Sequence, residues 1–528
     1  MALTSVEVPM VPRFALIVAL SLLAACGGGG GGGKADPGGG DPSPVAVSVT
    51  PASISLTATS GRQFSCVVTG STQTGCTWSV IEAGGGLITT AGLYTAPGTP
   101  GVYHVQARSV ADPARTATAE VTVTAAPAAK PWVTGYYVGY YWDWDLAQPP
   151  QSLDMSAMTH LVLGRVAPGS GSLGGAAGAL VLGGGQSFHG EGRAPDGSGR
   201  DVEDYMVARA HAAGTKVLLM LGGDGDDGKG FLRSTTDALR PTFVRRVVDY
   251  LVEHDYDGVD VDWENELDGN SGMGVTAEEA RRRLKALLSE LRLEAASRER
   301  YRGLERRLLI THPGYPENIN FLLPGGKVEP WKVEVAALVD QYNLMSYGVG
   351  TAFNGAEWES WFSGPIFGAG PNRPIDLDSS IRAYVASGVP RGKLGVGIGF
   401  YGMYYGPSIT GPRQDTNRND IWNFDDNALA WFELVRKGYL SHGQYHWDAE
   451  ARVGYRTYGP GGYVPANDPA SDPAGFLTYE DERSIAAKGA WVRETGLGGT
   501  IIWTVNYGYD VSTGGNPLLA ATKTAFLQ

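Results

Sequence analysis

Cysteine, long apolar runs and excess positive charge are all scarce in this sequence. Its 528 residues include three cysteines, and its 42 lysines and arginines are outnumbered by 55 aspartates and glutamates, which gives a net charge of −13. An acidic chain is a poor ligand for nucleic acid or an anionic membrane surface, so neither is expected as a partner. A chain of this length exceeds one compact core, and two or three domains are predicted.

One apolar run lies near the N-terminus. Phe14–Ala25 follows Arg13 and is too short to cross a bilayer as a mature helix, which indicates a targeting segment over residues 1–25. The run leads into "LAAC", which resembles the lipobox of bacterial lipoproteins and implies a lipid on Cys26. Gly27 then implies export to the outer membrane or cell surface, because retention in an inner membrane typically uses aspartate. The alternative is a plain secretory peptide that is cleaved before an incidental cysteine.

Residues 45–125 contain short, β-branched, alternating runs separated by turn signals, which predicts a small all-β sandwich. Cys66 and Cys76 lie close together here. A disulfide bond between them suits the oxidising compartment of an exported protein, and two free thiols are the alternative. The pattern of the runs resembles bacterial immunoglobulin-like domains, which implies a spacer or, alternatively, a carbohydrate-binding module. The glycine-rich residues 26–44 and residues 126–131 are predicted to be flexible links on either side.

From residue 132 to residue 528, predicted strands and helices alternate. The eight strand candidates are "WVTGYYVGYY", "THLVLGRV", "KVLLMLGG", "DGVDVDWE", "RLLITHP", "QYNLMSYG", "KLGVGIGFYG" and "GGTIIWTV". Apolar stripes at helical spacing lie between several of them, for example on "PTFVRRVVDYLVEH". This alternation predicts an α/β fold, a (β/α)8 TIM barrel. An aromatic-rich α+β insertion is expected between the seventh and eighth strands, at about 403–475.

Apolar and acidic residues alternate within "HDYDGVDVDWENE". The apolar set is Val259, Val261 and Trp263, and the acidic set is Asp260, Asp262 and Glu264. Successive side chains of a strand point to opposite faces, and a barrel strand packs one face on helices and turns the other inward. The acids are therefore expected to point into the barrel, toward the end where active sites of this fold lie. The alternative is a surface strand whose acids are in water.

Three inward carboxylates are too costly to be filler unless they are paired or protonated. Burial and neighbouring like charges both raise the pKa of a carboxyl group, so one member is expected to hold a proton near neutral pH. A proton donor beside ionised carboxylates is what acid-catalysed cleavage of a glycosidic bond requires. The strand therefore indicates glycosidic chemistry if the fold is a barrel.

Three segments of the chain resemble one known family. The stretch "DGVDVDWE" resembles the D-G-x-D-x-D-x-E signature of glycoside hydrolase family 18, the chitinases and their relatives. "QYNLMSYG" lies where that family has its M-x-Y-D strand, and "TYEDERSIAAKGAWVRETGLGGTIIW" matches the segment that leads to its last strand. The resemblance covers most of residues 132–528. It implies a retaining, substrate-assisted hydrolase that needs no cofactor.

The resemblance also implies catalytic roles. Glu264 would protonate the leaving oxygen, and the substrate's own 2-acetamido carbonyl would attack the anomeric carbon, which gives an oxazolinium intermediate. Asp262 would hydrogen-bond the acetamido nitrogen, and Asp260 would share a proton with Asp262. Tyr347 would donate its hydroxyl to the acetamido carbonyl. Asp257, which opens the signature, is expected to be structural.

Further residues are candidates for substrate binding. Trp503 would form the apolar floor under the sugar at the cleavage point. The first strand offers Tyr136 or Tyr140 for the family's pocket tyrosine, and Tyr136 is favoured. Gln341 and Met345 of "QYNLMSYG" are expected to contact substrate as well.

Two positions depart from the family pattern. Met220 stands where the family has a serine that hydrogen-bonds within the carboxylate network, and Gly348 replaces the aspartate after the strand tyrosine. Neither change removes a group that transfers a proton, so altered efficiency or linkage preference is expected rather than inactivity. The aspartates of "GGDGDDGKG" hint at a calcium loop, but the bidentate acid expected at its end is missing, and no metal is predicted.

The expected function is that of a monomeric chitinase that hydrolyses β-1,4-linked N-acetylglucosamine polymers. One alternative is an enzyme of the same family that cuts N-glycan cores or peptidoglycan. Family members that trim N-glycans commonly lack the tryptophan before the acid. Trp263 therefore favours chitin. The other alternative is a non-catalytic chitin-binding lectin, and such lectins typically lose Asp262 or Glu264, which are both present. Endo and exo action are both left open.

Overall fold

The computed structural model describes residues 44–57, 61–82, 84–97, 100–124, 130–139, 147–183, 194–303, 306–350, 358–406, 408–416, 421–423, 429–459 and 474–528. The chain divides into two compact units, Met1–Ala126 and Pro127–Gln528. The predicted targeting segment, Cys26, the first tether and most of the 126–131 link lie outside the described residues. Among the described residues, no helix is long and apolar enough to cross a membrane.

The N-terminal unit is built from short strands. They are Ala46–Thr50, Ser53–Thr57, Gly61–Gln63, Ser65–Thr69, Cys76–Val80, Leu87–Ile88, Leu93–Thr95, Gly101–Ser109 and Thr116–Thr124. Gly101–Ser109 and Thr116–Thr124 form the centre of a four-stranded sheet, and a two-stranded and a three-stranded sheet accompany it. One pair in the four-stranded sheet is parallel, between Ser53–Thr57 and Thr116–Thr124. A disulfide bond joins Cys66 to Cys76, strands of two different sheets.

Eight parallel strands of the second unit close into a barrel, as the sequence predicts. In chain order, these first to eighth barrel strands are Trp132–Val138, His160–Pro168, Lys216–Gly223, Gly258–Trp263, Leu309–Gly314, Gln341–Leu344, Leu394–Gly399 and Gly499–Trp503. Each pairs with its neighbour in the chain, and the first also pairs with the eighth. All eight predicted strand segments are confirmed: six contain a barrel strand, and the segments of the second and fifth strands overlap theirs but end one or two residues early.

Helices connect many of these strands. The α-helices are Val202–Ala212, Asp227–Ser234, Arg240–Glu253, Ala277–Ala296, Pro330–Leu338, Leu377–Ala386, Trp431–Arg436, Glu482–Thr495 and Pro517–Leu527. Helix Arg240–Glu253 buries Phe243, Val247 and Leu251, and so packs the stripe that its sequence predicts. The hydroxyl of Thr276 accepts the Glu279 amide at 3.2 Å and caps helix Ala277–Ala296.

The second unit also contains shorter strands that are not part of the eight-stranded barrel. They are Leu180–Leu182, Gly269–Asn270, Val275–Thr276, Trp358–Glu359, Gly402–Tyr405, Asp415–Thr416, Ile421–Asn423, Gln444–Asp448, Val453–Tyr458 and Gly475–Tyr479. Five of them form an antiparallel sheet between the seventh and eighth barrel strands, in the order Ile421–Asn423, Gly402–Tyr405, Gly475–Tyr479, Val453–Tyr458 and Gln444–Asp448.

The fourth barrel strand, Gly258–Trp263, is buried along its whole length. Val259, Val261 and Trp263 are fully buried, and the Trp263 ring stacks on Phe231 of helix Asp227–Ser234 at a centroid distance of 4.7 Å. Because the apolar set packs on the helix side, the alternating acids are turned into the barrel.

Asp257 lies at the amino end of this strand and anchors it. Its carboxylate accepts the Val217 amide and the His211 ring nitrogen, each at 2.9 Å, and pairs with Lys216 and Arg300 at 3.3 and 3.2 Å. Burial raises the pKa of this carboxyl, but the Val217 amide, His211 and Lys216 outweigh burial and hold the pKa below its ordinary value. Asp257 is therefore a structural residue of the barrel floor.

We expect D257A to lower the free energy of unfolding by roughly 2–4 kcal/mol, because it removes the acceptor of the buried Val217 amide and of the partly buried His211 and Arg300 side chains. The loss of stability in D257A should shrink as the pH falls below about 4. The unfolded aspartate takes up a proton there, and the folded aspartate takes one up at a lower pH. Calorimetric unfolding of the full chain measures this. The control is D249A, which removes an exposed partner of Arg298 and should cost less than about 1 kcal/mol. Equal losses for both variants would contradict the anchoring role.

Candidate active site

Three carboxyl groups rise along the inner face of the fourth barrel strand. Asp260 is 0% exposed, Asp262 is 4% exposed, and Glu264, one residue past the strand, is partly exposed. Exposure thus grows toward the carboxyl end of the barrel, where substrates of this fold bind. The row is deeply buried at one end and open to a ligand at the other.

Asp260 is held at the buried end by two hydroxyl groups. The Tyr136 hydroxyl donates to Oδ2 at 2.9 Å, and the Thr311 hydroxyl donates to Oδ1. Burial raises the pKa of Asp260 to about 6, although the hydrogen bonds from Thr311 and Tyr136 act to lower it. Both oxygens of this carboxylate therefore already have protein partners.

Asp262, in the middle of the row, differs from its neighbours. Its Oδ1 atom is buried and has no hydrogen-bond partner among the residues that the structure describes. Burial raises the pKa of Asp262 well above its ordinary value, and the charges of Glu264 and Asp260 raise it further. Burial and the neighbouring charges therefore favour the protonated form of Asp262, and its Oδ1 is a buried acceptor without a donor among the described residues.

Glu264 occupies the open end of the row. The hydroxyl of Tyr315 donates to its Oε2 at 2.8 Å. Burial raises the pKa of Glu264 to about 7, while the hydrogen bonds from Tyr315 and Asp262 oppose this rise. A carboxyl group with a pKa near neutrality is suited to give a proton and to take it back.

Aromatic side chains surround the acids. The ring of Tyr136 lies 5.7 Å from that of Trp503, which is partly exposed at the end of the eighth barrel strand. Tyr347, just past the sixth strand, meets Tyr401 edge to face at 6.1 Å. Burial, followed by the nearby Tyr401 and Glu264, raises the pKa of Tyr347 well above its ordinary value, so its hydroxyl stays protonated and available as a donor. Met345 is partly buried and packs against the barrel core.

Gln341 lies apart from this cluster. It begins the sixth barrel strand, at the opposite end of the barrel, and is 4% exposed. Its amide oxygen accepts from Thr134 at 2.8 Å and from Asn343 at 3.1 Å, and its amide nitrogen contacts His160. These contacts correct the expectation of a substrate-binding residue, because Gln341 is satisfied within the barrel floor.

The fifth barrel strand supplies residues that sequence reasoning missed. Thr311 bonds Asp260, Tyr315 bonds Glu264, and the His312 ring donates to the Val261 carbonyl at 2.7 Å. Burial lowers the pKa of His312 to about 4, so this ring is neutral and its role is to tie two strands together. The one available signal was the polar threonine in the apolar run "LLIT", on a strand predicted to adjoin the acidic one.

A side pocket of about 430 Å³ opens beside Glu264. It lies between the segments that follow the fourth and fifth barrel strands, and its walls include Tyr315, Trp331, Glu329 and Lys332. The Arg281 guanidinium lies over the Trp331 ring at 4.7 Å and pairs with Glu329, which fixes the aromatic wall. The open end of the acid row is therefore bordered by space large enough for part of a ligand.

The fold and the acid row together define a class: a (β/α)8-barrel protein whose buried carboxyl groups are arranged for acid-assisted glycosidic chemistry. The family model for glycosyl hydrolases family 18 matches residues 136–508. This span covers most of the chain and contains all the site residues described above. The chain belongs to this family.

Known chitinases are similar to the chain at modest identity. Chitinase A1 of Niallia circulans is 25% identical over 292 residues, which cover 52% of this chain and 38% of that protein. Chitinase 1 of Aphanocladium album is 26% identical over 312 residues, which cover 57% of this chain and 64% of that protein. The chain thus spans 38% and 64% of these two relatives. The crystal structure of Ostrinia furnacalis Group II chitinase catalytic domain 2 has the same fold, with a TM-score of 0.55 and 18% identity over 75% of this chain and 96% of that one.

The protonated middle acid has a consequence for stability. In the unfolded chain Asp262 ionises near pH 4, whereas in the folded protein it stays protonated to a higher pH, so its ionisation favours unfolding as the pH rises. We therefore expect D262N, a neutral isostere, to unfold at a higher temperature than the wild type at pH 8 and at a similar temperature at pH 4.

Thermal unfolding across this pH range measures the difference. The control is D268N at a side chain that is 93% exposed, where the difference from wild type should not grow with pH. A D262N variant that is less stable than wild type at pH 8, or a difference that does not change with pH, would show that Asp262 is ionised in the native state.

Proposed function

We propose that the chain is a chitinase that hydrolyses β-1,4-linked N-acetylglucosamine polymers with retention of configuration. The observation that carries this proposal is the buried, unpartnered Oδ1 of Asp262, which lies between Asp260 and the acid Glu264. An acetamido N–H of the sugar at the cleavage point is a donor of the kind that this oxygen lacks. Sugars without an N-acetyl group, such as those of cellulose, would leave it unpaired, which is costly in a buried site.

The reaction follows from the order of the row. Glu264 gives its proton to the glycosidic oxygen as the bond to the anomeric carbon breaks. The substrate's acetamido carbonyl oxygen forms the new bond to that carbon and yields an oxazolinium ion, whose N–H is held by Asp262. Glu264, now ionised, takes a proton from the water that opens the ring. Tyr347 supplies a donor for the acetamido carbonyl, and Trp503 supplies an apolar surface for the sugar.

The proton on Asp262 fits the charge changes of this reaction. Asp262 is hydrogen-bonded to Glu264 and lies in the field of Asp260, so the three carboxyl groups titrate as one unit. As positive charge develops on the acetamido group, Asp262 compensates it while its proton is shared with Asp260. A protein nucleophile is not required, because the substrate provides it.

Chitin is favoured over other N-acetylglucosamine linkages for two reasons. The relatives reported above are named chitinases, and Trp263 precedes the acid, as the family resemblance implies for enzymes that act on chitin. The lectin alternative is disfavoured by the presence of both Asp262 and Glu264, whose environments raise their pKa values as acid catalysis needs.

The proposed location is outside the cytoplasm, on a lipid anchor at Cys26. The lipobox-like "LAAC" supports the anchor, and the glycine-rich segment after it supports a flexible tether. The disulfide between Cys66 and Cys76 suits the oxidising environment of an exported protein. We propose that the N-terminal unit is an immunoglobulin-like spacer and that the protein acts as a monomer.

One set of incubations tests the function. The protein is given chitin oligosaccharides, peptidoglycan and an N-glycosylated protein, and the products are identified by mass spectrometry. We expect release from chitin oligosaccharides, with retention shown by the anomer first seen in NMR spectra. If products form only from peptidoglycan or only from the glycoprotein, that polymer is the substrate and chitin is not. No release from any of them, with chitin binding intact, would identify a lectin.

The variant E264Q tests the acid. We expect it to lower kcat on chitin oligosaccharides by roughly 10²–10⁴-fold, because the amide has no proton to give, while the Kd measured by calorimetry stays within about threefold. The matched control is E266Q, which lies two residues away and whose side chain bonds Asn270 at 2.9 Å. Near-normal turnover by E264Q would exclude Glu264 as the acid.

The pH profile tests the environment of Glu264. The acid must be protonated to act, so kcat/KM should fall as the pH rises through about 7. The Tyr315 hydrogen bond lowers the pKa of Glu264, so Y315F should move this alkaline limb to higher pH. The pH dependence of kcat/KM, measured for wild type and Y315F, tests this. An alkaline limb that stays in place or moves to lower pH in Y315F would contradict the assignment of Glu264 as the acid.

A further inference from the structure

We propose that Thr311 is the positioning residue that fixes Asp260 and so directs the shared proton to Asp262, in place of a hydroxyl on the third barrel strand. The proposal rests on the proposed function, because it concerns how the acid row is prepared for catalysis. It assigns a role to a fifth-strand residue that lies outside the three segments on which the family resemblance rests.

The contact follows from strand register. Asp260 on the fourth barrel strand lies directly beside Thr311 on the fifth, and both side chains face the barrel interior. Thr311 is 1% exposed, and its hydroxyl donates to Asp260 Oδ1, while Tyr136 donates to Oδ2. The carboxylate is therefore clamped from the fifth strand on one side and the first strand on the other.

The third barrel strand offers Asp260 no such donor. Met220 is the direct neighbour of Asp260 in the register of these strands, and it is 2% exposed. Its thioether cannot donate a hydrogen bond. The sulfur packs close to Gly164 of the second strand, where a Cβ would come within 2.6 Å of it. An apolar side chain thus fills the position at which the family pattern has a serine, and the hydroxyl comes from the opposite neighbour.

The groups around Asp260 show what the clamp does. Tyr136 faces it from the first strand, Met220 from the third, and Thr311 from the fifth, while its own strand contributes the acids Asp262 and Glu264. Tyr347, past the sixth strand, also lies within the field of Asp260. With both oxygens accepting hydroxyl protons, Asp260 is stabilised as the ionised member, so in the site without substrate the proton lies on Asp262.

Removing the Thr311 hydroxyl should therefore move the proton. In T311V, Asp260 Oδ1 becomes a buried acceptor without a donor, and Asp260 competes with Asp262 for the proton. Thr311 and Tyr136 lower the pKa of Asp260, so loss of one of them raises it from about 6. Catalysis needs Asp260 ionised, so the acid limb of the kcat profile should move to higher pH.

The test compares T311V, T311S and the double variant T311V/M220S on chitin oligosaccharides. We expect T311V to lower kcat roughly 10- to 100-fold, the worth of a hydrogen bond to a charged group, with KM within about twofold. T311S should recover most of the loss, because it keeps the hydroxyl. The double variant should recover part of it, because serine at position 220 returns a donor to the third strand. An unchanged kcat and acid limb in T311V would overturn the proposal.

A second readout does not depend on turnover. Infrared titration of the protonated carboxyl band, assigned with D260N, follows the ionisation of Asp260 directly. T311V should raise the pH at which Asp260 ionises, and no change would overturn the proposal even if the wild type proved inactive on every substrate. Failure of the wild type to hydrolyse chitin would instead overturn the proposed function alone. If T311V does not fold, T311A removes the same hydroxyl and carries both measurements.

Discussion

Burying three carboxyl groups on one strand is the constraint on which the rest of this site depends. Removal from water and mutual repulsion both penalise the ionised state, so the row must hold protons or be surrounded by donors. The structure does both. Hydroxyl groups of Tyr136 and Thr311 hold the buried end, and the hydroxyl of Tyr315 holds the open end. The middle acid, Asp262, is left as the proton carrier, with one oxygen that has no partner in the part of the chain that the structure describes.

This division gives one strand two chemical functions. The buried end sets the charge state of the row, and we propose that the end at the barrel mouth exchanges a proton with substrate. Between them, in the proposed mechanism, the Asp262 oxygen that lacks a donor among the described residues selects a sugar that brings its own N–H donor. If the proposed function holds, specificity and mechanism have one origin, because the acetamido group that satisfies this oxygen also supplies the nucleophile. At one departure from the family pattern, Met220 packs against Gly164, and Asp260 keeps its hydrogen bonds to Tyr136 and Thr311.

Much of the barrel could be predicted because the residue pattern within each segment is enough to identify it as a strand or a helix. Alternating apolar residues mark each strand, and the pattern of the fourth strand shows which side carries acids. Side-chain contacts between two strands depend on how the strands are aligned with each other. The residue pattern of a single strand does not give that alignment. For that reason the Thr311 and Tyr315 contacts were not foreseen, although their strand was. The same limit explains Gln341, whose strand was recognised but whose place at the barrel floor depends on where that strand starts.

The most direct measurement concerns the acetamido group itself. A series of aryl chitobiosides can be prepared in which the acetamido group of the sugar at the cleavage point carries no, one, two or three fluorine atoms. Fluorine withdraws electron density from the carbonyl oxygen, so attack by that oxygen predicts that kcat/KM falls steadily along the series. Equal values of kcat/KM for all four substrates would contradict participation of the acetamido group and, with it, the role assigned to Asp262.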